Sequence, residues 1–156
     1  MSLSLGTRRR SKDRVASLRA AIRSSGDGDA PDPGRLTILV AEDEPAVRAG
    51  IGQVLQKHGY RVLEAVDGVQ ALEVAARHPG PIHLLLTDLK MPRLDGRELH
   101  RRLNHQRPET RTLFMSGSLD TGLHPTAAFL PKPFAARVLV RKVGEVLRSQ
   151  SRAHQR

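Results

Sequence analysis

Residues 82–96 read IHLLLTDLKMPRLDG, and this stretch decides the fold that the sequence predicts. Four of the five residues 82–86 are apolar, and the run stops at Thr87-Asp88. A short apolar run of this kind is typical of a strand that is buried on both faces of a parallel sheet. Asp88 is therefore expected at the carboxyl end of a strand, where open α/β sheets bind their ligands.

Strand patterns alternate with helical patterns on both sides of this stretch. The predicted strands cover residues 36–41, 60–66, 82–86, 112–115 and 127–130. Apolar residues at helical spacing lie between them and over residues 135–149. This alternation predicts an α/β fold with a five-stranded parallel sheet and helices on both faces. Only twelve residues separate Ser116 from Phe129, and they include two glycines and a proline, so the fourth helix is expected to be shortened.

Polar residues follow the predicted strands at the positions where a ligand would bind. Glu42 and Asp43 follow the first strand, Ser116 follows the fourth, and Lys132 follows the fifth. A strand order that sets the first and third strands side by side would cluster Glu42 and Asp43 with Asp88. Ser116 and Lys132 would then face the cluster from the other side.

These residue types point to a phosphoryl group and a divalent cation. Three neighbouring carboxylates repel each other, and an oxygen-only ligand set favours Mg²⁺. Lys132 supplies a positive charge for phosphate, and Ser116 supplies a hydroxyl donor. The carboxylate of Asp88 can itself act as a nucleophile.

Over residues 36–147 the chain resembles the receiver domains of two-component response regulators. The motif consists of separate pieces in the right order: Glu42-Asp43, Asp88, Met91-Pro92, Asp95-Gly96, Ser116 and Lys132-Pro133-Phe134. The resemblance implies a flavodoxin-like, doubly wound sheet with strand order 2-1-3-4-5. The short segment after Ser116 is most similar to receivers attached to hybrid histidine kinases.

The resemblance also implies a metal-dependent phosphoacceptor. Asp88 would accept a phosphoryl group from the phosphohistidine of a histidine kinase or a histidine phosphotransfer protein. Asp43 and Asp88 would bind Mg²⁺ or Mn²⁺ directly, the backbone carbonyl of Lys90 would add a ligand, and Glu42 would act through a water. Lys132 would pair with the phosphoryl group. Such a domain is not an enzyme beyond its own phosphorylation and dephosphorylation.

Two further features follow from the same resemblance. Ser116 would hydrogen-bond the phosphoryl group and draw its loop inward, while Phe129 would turn from outside to inside as the switch residue. The Lys132–Pro133 peptide bond would be cis, which would aim Lys132 into the site. We also expect the side chains of Lys90 and Ser118 to influence the lifetime of the phosphorylated state.

Composition indicates the domain limits, the cellular location and the classes of partner. Most of the formal net charge of +10 lies in the ends, with seven Arg and Lys against four Asp in residues 1–34 and six against one Glu in residues 135–156. We expect a basic, disordered leader and linker over residues 1–34, a receiver domain over 35–149 and a disordered tail over 150–156. Without cysteines or a long apolar run, the protein is expected to be cytoplasmic, with no membrane contact. Because no DNA-binding domain follows, a single-domain regulator is expected, whose downstream protein partner the sequence does not identify.

Three other functions share parts of this sequence pattern. Haloacid dehalogenase-like phosphatases also place a nucleophilic Asp after a strand, but they need a second Asp where this chain has Lys90. A receiver-like adaptor that works without phosphorylation would keep its partner when Asp88 is replaced. Nucleic-acid binding through the basic ends is disfavoured because the chain has few aromatic residues for stacking on bases.

Overall fold

The computed structural model describes residues 36–118 and 121–149, in which five strands alternate with four helices. The predicted leader and tail, residues 1–34 and 150–156, lie outside the described residues. The strands are β1 (Thr37–Ala41), β2 (Arg61–Ala65), β3 (Leu84–Asp88), β4 (Arg111–Ser116) and β5 (Phe129–Pro131). The helices are α1 (Pro45–Lys57), α2 (Gly68–Arg77), α3 (Gly96–Gln106) and α4 (Ala136–Arg148).

The five strands form one parallel sheet in the order β2-β1-β3-β4-β5. This is the predicted doubly wound order, and it is confirmed. The strand of the opening stretch, β3, lies at the centre of the sheet, and its residues 84–87 are buried. A central strand covered on both faces requires the continuous apolar run that the sequence shows.

Two apolar layers hold the helices on the sheet. One face packs against α1 and α4, with Ile51, Leu55, Leu139 and Val143 in contact with the buried side chains of the central strands. The other face packs against α2 and α3 through smaller sets of buried residues, Ala71 and Ala75 on α2 and Leu99 and Leu103 on α3. None of the described helices is long and apolar enough to cross a membrane.

Aspartates begin two of the helices. The Asp67 carboxylate accepts a hydrogen bond from the Gln70 backbone N–H at the start of α2 (2.8 Å), and Asp95 accepts one from the Glu98 backbone N–H at the start of α3 (2.9 Å). Such caps satisfy backbone donors that have no partner within the helix. Asp95, in the Asp95-Gly96 pair of the motif, is thus a helix cap.

The connection between β4 and β5 contains no helix within its described part, residues 117–118 and 121–128. A shortened helix was predicted for this segment, and the described residues differ from that prediction because they form none. Gly117 and Gly122 favour backbone conformations outside the helical region, and Pro125 removes a backbone donor. The described chain therefore has two helices on each face of the sheet.

Candidate functional site

The strand ends bring the predicted site residues to the carboxyl end of the sheet. Glu42 and Asp43 directly follow β1, and Asp88 is the last residue of β3. Ser116 is the last residue of β4, and Lys132 directly follows β5. Because β1, β3, β4 and β5 are consecutive in the sheet, these five side chains belong to one continuous row of strand ends.

Three carboxylates and one ammonium group form the centre of the site. Carboxylate oxygens of Glu42, Asp43 and Asp88 all lie within 4.8 Å of one another. Lys132 Nζ donates to Glu42 Oε2 at 2.6 Å and to Asp88 Oδ2 at 3.0 Å. Glu42 is only 1% exposed, whereas the Asp88 side chain is 15% exposed and Asp43 is exposed. The cluster is thus anchored in the protein at Glu42 and open to solvent at Asp43.

Burial and pairing shift the pKa values of the two most enclosed groups. Burial raises the pKa of the Glu42 carboxyl above its usual value, although the hydrogen bonds from Lys132 and from the Glu44 backbone N–H act in the opposite direction. Burial alone would lower the pKa of Lys132, but its hydrogen bonds to Glu42 and Asp88 outweigh burial and raise it. Lys132 is therefore a cation at neutral pH, held between two carboxylates.

An open cleft of about 540 Å³ lies beside the cluster. Ser116 lies on its wall, where its Oγ accepts a hydrogen bond from the Ser118 backbone N–H at 3.0 Å. The described residues that line the cleft are Asp43, Leu89, Lys90, Met91, Pro92, Asp95, Arg97, Ser116, Ser118 and Thr121. Solvent, or a ligand of phosphate size, can reach this row of strand ends.

The loop after β3 is tied closely to Asp88. A Cβ atom at Gly96 would overlap the Asp88 carbonyl oxygen, so only glycine fits where α3 begins. The Gly96 backbone N–H also donates to the Leu89 carbonyl at 2.9 Å. Between Asp88 and Gly96, Arg93 takes a positive φ of 66°, and its guanidinium pairs with Asp67 at 2.7 Å. The loop is thereby fixed both at Asp88 and at the start of α2.

The structure brings most of the predicted site residues together. Lys90 lines the cleft, and its backbone N–H lies 3.4 Å from Asp88 Oδ1. The Lys132–Pro133 peptide bond is cis. Phe129 is half-buried in β5, where it pairs with β4, and it does not line the cleft.

Three residues of the cleft wall, Leu89, Arg97 and Thr121, were not predicted from the sequence. Arg97 directly follows the Asp95-Gly96 turn, and this closeness to the motif is the signal that could have identified it. Thr121 lies in an irregular segment, and no sequence pattern distinguishes it.

The comparisons with known proteins agree with this geometry. The family model for the response regulator receiver domain matches residues 38–144. The chain belongs to this family. Receiver domains are the response regulator modules of two-component systems, and phosphorylation on Asp and Mg²⁺ binding are typical of them. The predicted domain limits at residues 35 and 149 stay predictions.

Two curated relatives illustrate the range of proteins that contain such a domain. The chain is 39% identical over 123 residues to the sensor kinase CckA of Brucella abortus (strain 2308). The matched region covers 75% of this chain but only 13% of that protein. It is 36% identical over 116 residues to the response regulator receiver protein CpdR of the same organism. This matched region covers 70% of this chain and 95% of that protein. The receiver domain thus occurs both within a large kinase and as nearly a whole protein.

A solved structure supports the predicted subgroup. The crystal structure of the receiver domain from the hybrid histidine kinase CckA aligns with a TM-score of 0.63 and 39% sequence identity. The alignment covers 71% of this chain and 98% of that chain. The expected similarity to receivers attached to hybrid histidine kinases is confirmed.

Proposed function

We propose that the protein accepts a phosphoryl group on Asp88 from the phosphohistidine of a histidine kinase or a histidine phosphotransfer protein. The observation that carries this proposal is the position of Lys132 Nζ, which bridges Glu42 and Asp88 beside the open cleft. A lysine held there can meet the oxygens of a phosphoryl group on the neighbouring carboxylate. A partly exposed acceptor beside a fixed cation supports phosphoryl transfer to Asp88.

In the proposed transfer, a carboxylate oxygen of Asp88 attacks the phosphorus atom. The new P–O bond forms an acyl phosphate, and the P–N bond to the donor imidazole breaks with its electron pair on the nitrogen. Lys132, which already contacts the Asp88 carboxylate, would stabilise the charge on the transferred oxygens. Release of the phosphoryl group follows when a water oxygen attacks phosphorus and the P–O bond to Asp88 breaks.

The donor set fits a hard divalent cation, Mg²⁺ or Mn²⁺. Only oxygen ligands are present in the cluster, and one of its carboxylates is exposed, so a partly hydrated ion can be held. We propose that Asp43 and Asp88 bind it directly, that the backbone carbonyl of Lys90 adds a ligand, and that Glu42 acts through a water. When bound, the cation neutralises negative charge on the phosphoryl oxygens.

The phosphorylated state would act through a protein partner. Ser116 is close enough to the cleft to hydrogen-bond the phosphoryl group, which would favour the conformation in which its loop lies inward and Phe129 is turned inside. We propose this pair as the switch. The protein would relay phosphate or change its binding to a partner, in the cytoplasm, where phosphohistidine is made from ATP.

Phosphorylation of a kinase-free sample tests the proposal. The chain is incubated with Mg²⁺ and a small acyl phosphate or phosphoramidate, and its intact mass is measured. We expect the gain of one phosphoryl group, its loss on treatment with hydroxylamine, and no gain in Asp88→Asn. Asp67→Asn is the matched control, because this aspartate caps α2 and lies outside both the carboxylate cluster and the lining of the cleft.

Two results would contradict the proposal. One is a wild-type chain that stays unmodified although its far-ultraviolet circular dichroism shows it to be folded. The other is an Asp88→Asn chain that still gains the phosphoryl group, which would assign the acceptor to another residue.

A further inference from the structure

The three arginines of α3 point to different surroundings. Arg101 and Arg102 both bind Glu98, with N···O distances of 2.6 and 2.8 Å, on the solvent side of the helix. Arg97, one turn earlier, lines the cleft that also contains Asp43 and Ser116. The first turn of α3 therefore places a cation, Arg97, at the cleft. The cations of the next turn, Arg101 and Arg102, instead form salt bridges with Glu98 on the surface.

The guanidinium of Arg97 occupies the space beside Gly122 that a side chain at this position would fill. A Cβ atom at Gly122 would be 2.9 Å from Arg97 Nη2 and 3.3 Å from Nη1. Gly122 also has a positive φ of 61°, a conformation that favours glycine. The planar guanidinium can approach the chain this closely because no side chain intervenes.

This contact joins α3 to the segment after β4. The hydrogen bonds recorded for described residues 118–127 are local ones, from Ser118 to Ser116, from Leu123 to Thr121 and within 124–127. No helix is present there to order the segment in its described part. Packing against Arg97 is thus a link between this wall of the cleft and a helix whose start is packed on the Asp88 carbonyl.

We propose that Arg97 is a positioning residue that holds the Thr121–Gly122 segment against α3 and thereby sets how long a phosphoryl group stays on Asp88. The proposal rests on the function proposed above. Water that hydrolyses the acyl phosphate would enter through the cleft, which Thr121 and Ser118 line together with Lys90 and Pro92. When Arg97 holds the Thr121–Gly122 segment in place, the approach of that water is restricted. When this contact is lost, the water reaches the acyl phosphate more easily.

The first experiment needs no phosphorylation. Hydrogen–deuterium exchange of the full chain is followed in peptides that span residues 117–128, for wild type, Arg97→Ala and Arg101→Ala. We expect exchange in Arg97→Ala to be faster by about threefold to tenfold, because local opening follows the loss of tertiary contacts. Arg101→Ala should match wild type. Equal exchange in all three proteins would overturn the proposal.

The second experiment measures the decay of the aspartyl phosphate after the donor is removed. We expect its lifetime to shorten by about threefold to tenfold in Arg97→Ala and to stay within about twofold in Arg101→Ala. Arg97→Lys keeps the charge but lacks the planar group, so it should behave like Arg97→Ala. A lifetime fully restored by Lys, or unchanged in Arg97→Ala, would overturn the proposed role.

The two experiments separate this inference from the function on which it rests. If wild type takes up no phosphoryl group, the proposed function falls and so does the claim about lifetime, whereas exchange still decides whether Arg97 holds the segment. If wild type is phosphorylated and the variants decay alike, the function stands and the role of Arg97 is wrong.

Discussion

Polar side chains cluster at both ends of the sheet, but they bind different partners at each. At the carboxyl end, Lys132 donates to both Glu42 and Asp88 beside a cleft. At the amino end, polar side chains bind the backbone. Arg107 donates to the carbonyls of Ala75, His78 and Gly80 at 2.8 Å each.

Other residues of the amino end follow the same rule. Thr110 Oγ1 donates to the Ile82 carbonyl at 2.7 Å, His83 Nδ1 accepts from the Thr37 backbone N–H at 2.9 Å, and Arg111 donates to the Val146 carbonyl at 2.9 Å. These bonds close helix ends and strand starts that would otherwise leave polar groups unsatisfied. The comparison teaches that polar side chains stabilise this fold at its amino end and are available for chemistry at its carboxyl end.

The largest effect on stability is expected from the amino end. Arg107→Ala should lower the free energy of unfolding by about 2–3 kcal/mol, because three carbonyls at the end of α2 lose a charged donor. Urea denaturation measures this loss. Phosphorylation of Asp88 in the folded fraction should be retained.

The control is Arg102→Ala, which removes an exposed pair with Glu98 and should leave the unfolding transition within experimental error of wild type. If Arg107→Ala were as stable as this control, or if it abolished phosphorylation while folded, the division between the two ends would be wrong.

A change of opposite sign is expected at the carboxyl end. Asp43 lies among three mutually close carboxylates, and the salt bridges of Lys132 go to Glu42 and Asp88 rather than to Asp43. Without divalent cations, Asp43→Asn should therefore raise the free energy of unfolding by about 0.5–1 kcal/mol through relief of repulsion.

Addition of Mg²⁺ should reverse this order. Wild type should gain stability in proportion to its occupancy, and Asp43→Asn should gain much less, because binding to the native state alone shifts the unfolding equilibrium. Thermal unfolding with a chelator and with Mg²⁺ provides the comparison. A variant that is less stable than wild type in the chelator would show that Asp43 has a structural role.

The smallest effect is expected at Asp67, which lies at the carboxyl end of the sheet but has a structural role like that of the residues at the amino end. Asp67 follows β2 at the carboxyl end, yet it caps α2 and pairs with Arg93. Burial opposes its ionisation, but the hydrogen bonds from the Gln70 backbone N–H and from Arg93 prevail and lower the pKa of Asp67 below its ordinary value of 3.8.

The sign of the pH dependence follows from that shift. A lowered pKa contributes stability above the ordinary value, and this contribution is lost as the pH falls through the native pKa. Asp67→Asn should thus be less stable than wild type near neutral pH, and the difference should shrink from about pH 4 downward. Urea unfolding across this range tests it, with Arg93→Gln as the control in which the acid-sensitive part is reduced. A difference that does not change with pH would assign the effect of Asp67 to capping alone.

Much of the fold was predictable because it depends on local patterns. The apolar run before Asp88 identified a strand buried on both faces, and alternation of strands with helices identified a parallel sheet. The strand order came from the resemblance rather than from the pattern. The positions of Glu42, Asp43, Ser116 and Lys132 followed, because strand ends in a known order define their neighbours.

The contacts that escaped prediction are those between segments distant in sequence. Arg93 with Asp67 and Arg107 with the end of α2 join residues 26 to 32 positions apart, and no periodicity marks them. The contact of Arg97 with Gly122 is of the same kind. Each depends on the path of an irregular loop, which is set by packing of the whole domain.

The sequence by itself determined the type of the five strands and of the four helices that form, their buried faces and the residues at the strand ends, because backbone geometry imposes fixed periods on apolar residues. Only the tertiary structure decided that Lys132 joins Glu42 to Asp88, that Arg107 closes α2 and that Arg97 faces the cleft. These choices are made by side-chain directions and loop paths, which become defined when the layers pack and burial requires a partner for each charge.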